Sequence, residues 1–164
     1  MIKVEVAMVL YLCPTYRMSL ALPHVRFISP GGFVVGDEMV EEVAAVYHPS
    51  DEDVQAVLDY LGSTPGYEHF ELLERTPKWA FIRWRAVCSS KGFCSQVVEK
   101  NLGFKIGMEI QHEGLERWTV GCATRGDAEQ LLEDLHQLGD VKVAQITETT
   151  WERVFDPVPI EPNG

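Results

Sequence analysis

The chain has 164 residues, 46% hydrophobic and 24% charged, which suits one medium domain or two small ones sharing a core and gives the composition of an ordinary soluble globular protein. Its formal charge of −11, from 14 basic and 25 acidic residues, argues against nucleic-acid binding by the chain as a whole, because phosphate backbones are gripped by cationic surface. The longest apolar runs, such as "VAMVLYLC", fall far short of the roughly 20 residues that span a bilayer, and no signal-peptide pattern opens the chain, so a cytoplasmic protein with no membrane partner is expected.

In chain order, "IKVEVAMVLYL" reads as a strand whose Ile2, Val4 and Val6 share one face, with Lys3 and Glu5 on the other. "CPTYRMSLALPH" is a connection with a short helix between its prolines. "VRFIS" is a strand, "PGG" a turn, and "FVVGDEMVEEVAAVY" one or two further strands. In "HPSDEDVQAVLDYLGS", Ser50 is an N-cap with Asp53 three residues on, and Val54, Val57, Leu58 and Leu61 form an apolar stripe ended by Gly62. "YEHFELLER" and "KWAFIRWRAV" are strands about a "TP" turn, "CSQVVEKNLG" is a short helix, and "FKIGMEIQH" and "ERWTVGCAT" form a hairpin around "EGL". "GDAEQLLEDLHQLG" is a helix, "VKVAQITET" a strand, and "DPVPIEPNG" a proline-rich tail without regular structure.

Ala128, Leu131, Leu132 and Leu135 repeat the stripe of Val54, Val57, Leu58 and Leu61 at a constant offset of 74 (128 − 54 = 74). Each helix lies between two β-rich segments. The expected fold is therefore α+β: duplicated β-α-β units of the ferredoxin-like or ACT-like kind, with antiparallel sheet covered on one face by helices. Residues 1–88 form the first half, 89–155 the second half sharing one core, and 156–164 the linker or tail.

The stretch "KWAFIRWRAVCSSKGFC" holds the densest chemistry. As a strand it sets Trp79, Phe81, Arg83 and Arg85 on one face, and Lys78, Ala80, Ile82, Trp84 and Ala86 on the other. Both faces mix apolar residues with cations, so the strand is expected to be packed at one end and solvated at the other. Aromatics interleaved with arginines can stack bases, but the net charge opposes that reading, and core aromatics with cations packed over them are the simpler one. Cys88 and Cys94 flank a glycine-containing loop that carries Lys91, and Cys94 falls near a helix N-terminus, where a thiolate is stabilised. They are the candidate redox or thiol site, against the alternative that buried cysteines act as small hydrophobes. Cys13, Cys88, Cys94 and Cys122 show no CxxC pair and no compact Cys/His spacing, so no metal and no cofactor is expected. With no GxSxG, phosphate loop, HExxH or paired-carboxylate signature, and with the histidines scattered, no catalytic residue is assigned and no enzyme is expected. Trp118 anchors the second hairpin to the core.

From "FELLERTPKWAFIRWRA" through "LGFKIGMEIQHEGLERWTVGCATRGDAEQLLEDLHQLGDVKVAQIT", the chain resembles the N-terminal sensory region of archaeal bacterio-opsin-activator-type helix-turn-helix transcriptional regulators. Glu71, Leu73 and Pro77 match that family's first strand pair, Glu116, Trp118 and Val120 its middle strand, and Asp127, Ala128, Leu132 and Leu135 its helix. The resemblance spans roughly residues 50 to 150. It implies a non-enzymatic sensory or regulatory domain that responds to a small-molecule effector, with DNA binding left to a helix-turn-helix that would begin where "DPVPIEPNG" ends this chain. Two other classes stay open: a small ferredoxin-like metabolic enzyme or ligand-binding protein, and a dimerisation module that pairs as a homodimer through exposed sheet.

Overall fold

Period-two patterning turns into sheet throughout the computed structural model, which describes residues 1–36, 38–88 and 94–155. The strands are β1 (Ile2–Val9), β2 (Phe27–Ser29), β3 (Phe33–Val35), β4 (Met39–Tyr47), β5 (Tyr67–Arg75), β6 (Trp79–Val87), β7 (Phe104–His112), β8 (Leu115–Cys122) and β9 (Asp140–Glu148). The helices are α1 (Pro14–Ala21), α2 (Asp51–Ser63), α3 (Cys94–Lys100), α4 (Arg125–Leu138) and α5 (Trp151–Phe155). The cysteine-flanked loop at 89–93 and the proline-rich tail at 156–164 lie outside the described residues.

Both long helices start the same way. Ser50 accepts from the Asp53 N–H while the Asp53 carboxylate accepts from the Ser50 N–H, and Thr124 and Asp127 form the same reciprocal box on α4. Both apolar stripes pack inward as expected, with Val54, Val57 and Leu61, and Ala128, Leu131 and Leu135, buried. Leu58 and Leu132 sit at the stripe edges and are only partly buried. Gly62 does not end α2; the helix runs on to Ser63 and closes when the Thr64 N–H bonds the Tyr60 carbonyl. The short helix α5 was not legible in the sequence. The β7–β8 hairpin turns at Glu113 and Gly114, both at positive φ (52° and 74°). A side chain at Gly114 would collide with Leu20 on α1, so the turn docks there, its N–H donating to Ser19 Oγ at 3.0 Å.

Among the described residues, nine strands form one antiparallel sheet in the order β5-β6-β4-β2-β7-β8-β1-β9, with β3 paired to β4 off this path. Exchanging β1 with β6, β2 with β7, β4 with β8 and β5 with β9 turns that order into its own reverse. Taken as the strand sets β1–β5 and β6–β9, the first strand of each lies among strands of the other: β1 between β8 and β9, and β6 between β4 and β5. A cut at residue 88 keeps β6 with β4 and β5 but separates β1 from β8 and β9, so it divides the sequence without dividing the sheet.

Directly paired residues share a face. The pairs Val46↔Ala80, Phe27↔Val46, Phe27↔Gln111, Gln111↔Glu116 and Val6↔Trp118 carry one buried face from β6 across to β1. Helices cover this face above two apolar clusters. One joins Met18, Phe27, Val46, Val57, Leu61, Ile82 and Trp84; the other joins Val4, Met8, Val98, Trp118, Val120, Leu131 and Leu135. The opposite face carries Ala45↔Phe81, Glu41↔Arg85 and Ile28↔Ile110. On β6 this settles the two faces: Ala80, Ile82, Trp84 and Ala86 point into the core, and Trp79, Phe81, Arg83 and Arg85 point away from it. Among the described residues, no helix is long and apolar enough to cross a membrane.

Candidate functional site

Between the two apolar clusters the helix-covered face turns polar. Alternation along β4 places Glu42 on the same side as Val40, Ala44 and Val46, and along β8 it places Glu116 with Trp118 and Val120. Register then brings Ser29 opposite Glu109, and Gln111 opposite Glu116. Ser29, Glu42, Glu109, Gln111 and Glu116 are each no more than 6% exposed. Glutamate is almost never buried to this degree unless paired, and here three lie in one seam at the middle of the sheet.

Four pairwise contacts fill the seam. Thr15 Oγ1, on α1, donates to Glu42 Oε2 at 3.0 Å. The Lys105 ammonium is ion-paired with Glu109 and lies 5.9 Å from the centroid of the Trp118 ring. The Cys94 thiol, on α3, donates to Glu116 Oε1 at 3.5 Å, and Gln111 Nε2 donates to Cys13 Sγ at 3.8 Å. Cys94, Glu109 and Glu116 each offer one ligand-type atom, and these three atoms lie within 4.8 Å of one another.

Among the described residues, three carboxyl groups thus share the seam with the Lys105 ammonium. Burial pushes the Glu116 carboxyl up to about 7; the nearby Glu42 adds to this, while Lys105 and the Cys94 thiol oppose it. Burial also raises Glu42, against hydrogen bonds from Ser29 and Thr15 and the field of Lys105. Both thiols are pushed up in turn, by burial first and by the Glu116 carboxylate second. Lys105 also lines a cleft of about 460 Å3 beside α3, formed with Phe33, Val34, Ser95, Glu99 and Phe104.

The two cysteines singled out in the sequence part company. Cys94 is 5% exposed and belongs to the seam; Cys88 is 4% exposed, packs with Val40 and Val34, and donates to the Leu12 carbonyl at 3.8 Å. The redox reading needs an exposed, electropositive thiol with a lowered pKa. Burial instead raises both, so the first turn of α3 does not activate Cys94. All four cysteines are thiols, and Cys122 is fully buried. The sequence reading missed Glu42, Glu109 and Lys105 altogether and used Glu116 only as part of a resemblance. The one available signal was a charged residue standing on the apolar side of an alternating strand.

A family model described as HVO_2525_N, N-terminal, matches residues 3–141. No curated protein and no solved structure matches the chain.

Proposed function

The chain belongs to the HVO_2525_N N-terminal family, and from that premise we propose that it is a non-enzymatic sensory or regulatory domain of an archaeal transcriptional regulator. It consists, in this reading, of two ferredoxin-like or ACT-like β-α-β-β-α-β units that exchange their first strands. The self-reversing strand order supports the duplication. So do the matched capping boxes of α2 and α4, and the buried glutamates Glu42 and Glu116 on equivalent strands at the helix offset (116 − 42 = 74).

The observation that carries the function is the polar seam between the units. Stability alone favours apolar filling at such a position, since buried ionisable groups are costly and their replacement by hydrophobes is often neutral or stabilising. A pair of equivalent units with ionisable groups at their junction is suited to reading a small ligand or ion, whose binding would shift how the units pack. Chemistry at the seam is disfavoured, because a nucleophilic cysteine needs a lowered pKa and these are raised. The test is transcript profiling of a strain lacking the gene. The reading predicts a defined set of transcripts changed in the deletion and restored by the intact gene; an unchanged profile under every growth condition that expresses the protein contradicts it.

A second reading, assembly into a homodimer, is favoured by the uncovered face. Ile28, Val43, Ala45, Trp79, Phe81 and Met108 line an almost wholly apolar cleft of about 400 Å3 there. Met108 and Val143 are more than half exposed on that side. A second copy would cover this face, and sedimentation as a monomer at micromolar concentration would remove the reading.

A further inference from the structure

We propose that Cys94, Glu109 and Glu116 form a binding site for a thiophilic divalent cation of the zinc class. The ligand atoms come from three elements, α3, β7 and β8, and lie within 4.8 Å of one another with each residue no more than 5% exposed. Clusters of surface acids are commonplace, but these groups are held inside a helix-covered hairpin whose register is fixed by the Gln111↔Glu116 pair. Antiparallel pairing and the packing of α3 against β7 therefore preorganise the site.

Charge points to the same occupant. Among the described residues, Glu42, Glu109 and Glu116 share the seam with one ammonium, that of Lys105. Uncompensated carboxylates in a buried setting are expensive, and a dication offsets what one lysine leaves. The donor set decides the class. One sulfur and two carboxylate oxygens do not suit calcium or magnesium, which take oxygen ligands alone; zinc accepts thiolate and carboxylate together in tetrahedral sites. Three protein ligands leave a fourth position for water, and Cys13 is a further thiol on the same seam. An independent observation comes from Trp118, two residues from Glu116 on the same face of β8. It is 4% exposed, its ring lies beside the Lys105 ammonium, and its buried indole Nε1–H has no hydrogen-bond partner among the described residues. An anion or water held on a cation in this seam would give such a donor its acceptor.

Binding breaks the hydrogen bond between the Cys94 thiol and Glu116 Oε1. The thiol proton leaves for solvent, the sulfur lone pair forms the metal–thiolate bond, and no electron transfer is involved. The inference rests on the seam being the site that reads the signal, and it names that signal as a metal ion. Its test is direct binding, which stands or falls separately from any change in transcripts.

The experiment uses the full chain, stripped with a chelator and titrated with Zn2+, and with Co2+ as the spectroscopic probe. Expected are saturation at one ion per chain, a higher Tm with Zn2+, and a thiolate-to-cobalt charge-transfer band with the d–d absorption of tetrahedral Co2+. Cys94→Ser should remove the charge-transfer band, Glu109→Gln and Glu116→Gln should each weaken Zn2+ binding by more than about tenfold, and Cys122→Ser should leave all three readouts in place. Wild-type protein that shows neither the band nor a Tm shift overturns the proposal, whatever the variants do, and so does a band that survives Cys94→Ser. Metal binding as expected, in a protein whose deletion leaves transcripts unchanged, would keep the site and refute the regulatory reading.

Discussion

Leu135 on α4 and Leu61 on α2 occupy equivalent places in the two apolar clusters, each no more than 1% exposed. Leu→Ala at either removes three carbons' worth of apolar side chain, a transfer loss of a little over 2 kcal/mol at about 0.8 kcal/mol per carbon. The cavity left under a rigid sheet adds to this and puts each variant in the range of about 2–5 kcal/mol. The assay is urea unfolding followed by tryptophan fluorescence, because the buried Trp84 and Trp118 report one cluster each. β1 and β6 each lie among strands of the other set, β6–β9 and β1–β5, so neither cluster can lose its sheet without opening the other. Both variants should shift one shared transition to lower urea with an unchanged slope. Leu132→Ala, at the partly buried edge of the stripe, should cost less than half as much as Leu135→Ala. Two separate transitions, with Leu135→Ala moving only one of them, would refute the coupling that the strand exchange implies.

Asp134 ties α4 to α3 by accepting from Asn101 Nδ2 and Lys100 Nζ, both at 2.9 Å. These hydrogen bonds, Asn101 first, lower its pKa to about 2, so its stabilisation is present above about pH 4 and fades as pH falls towards 2. Asp134→Asn should therefore destabilise at pH 7 and converge with wild type at pH 2, as read by thermal melts across that range. Glu42 carries the opposite sign. Burial raises its pKa, so its protonated form supports the fold at low pH and that support is lost as pH rises through the folded value. Glu42→Gln should match wild type near pH 4 and gain on it towards pH 8; a difference that does not change with pH would contradict the burial argument. In native thiol labelling, Cys94 and Cys122 should label only on unfolding. Early labelling of Cys94 would show that α3 opens to expose the seam.

Local signals carried most of the secondary structure. The i, i+3, i+4, i+7 stripes and the Ser50/Asp53 and Thr124/Asp127 boxes fix α2 and α4, because both depend on residues within one or two turns. The Ile2, Val4 and Val6 face of β1 was equally plain. Strand partnership was not, since nothing within β1 states that it pairs with β8 and β9, some 110 and 140 residues away. The seam was hidden for a related reason. Glu41 and Glu42 are neighbours in one strand, and alternation says only that they face opposite ways; the placing of β2 and α1 decides that Glu42 is the buried one. Cys94 was visible as a residue near a helix start, but its partners Glu109 and Glu116 come from a hairpin whose packing no local pattern encodes.

The central claim is that the seam, not the apolar cores, carries the regulatory function. The most direct measurement compares transcript profiles of strains whose chromosomal gene encodes Glu116→Gln or the exposed-side control Glu133→Gln, with protein abundance followed in each. The account predicts that Glu116→Gln alters the same transcripts as gene deletion at normal protein abundance, while Glu133→Gln alters none. A Glu116→Gln strain with wild-type abundance and wild-type transcripts would contradict it.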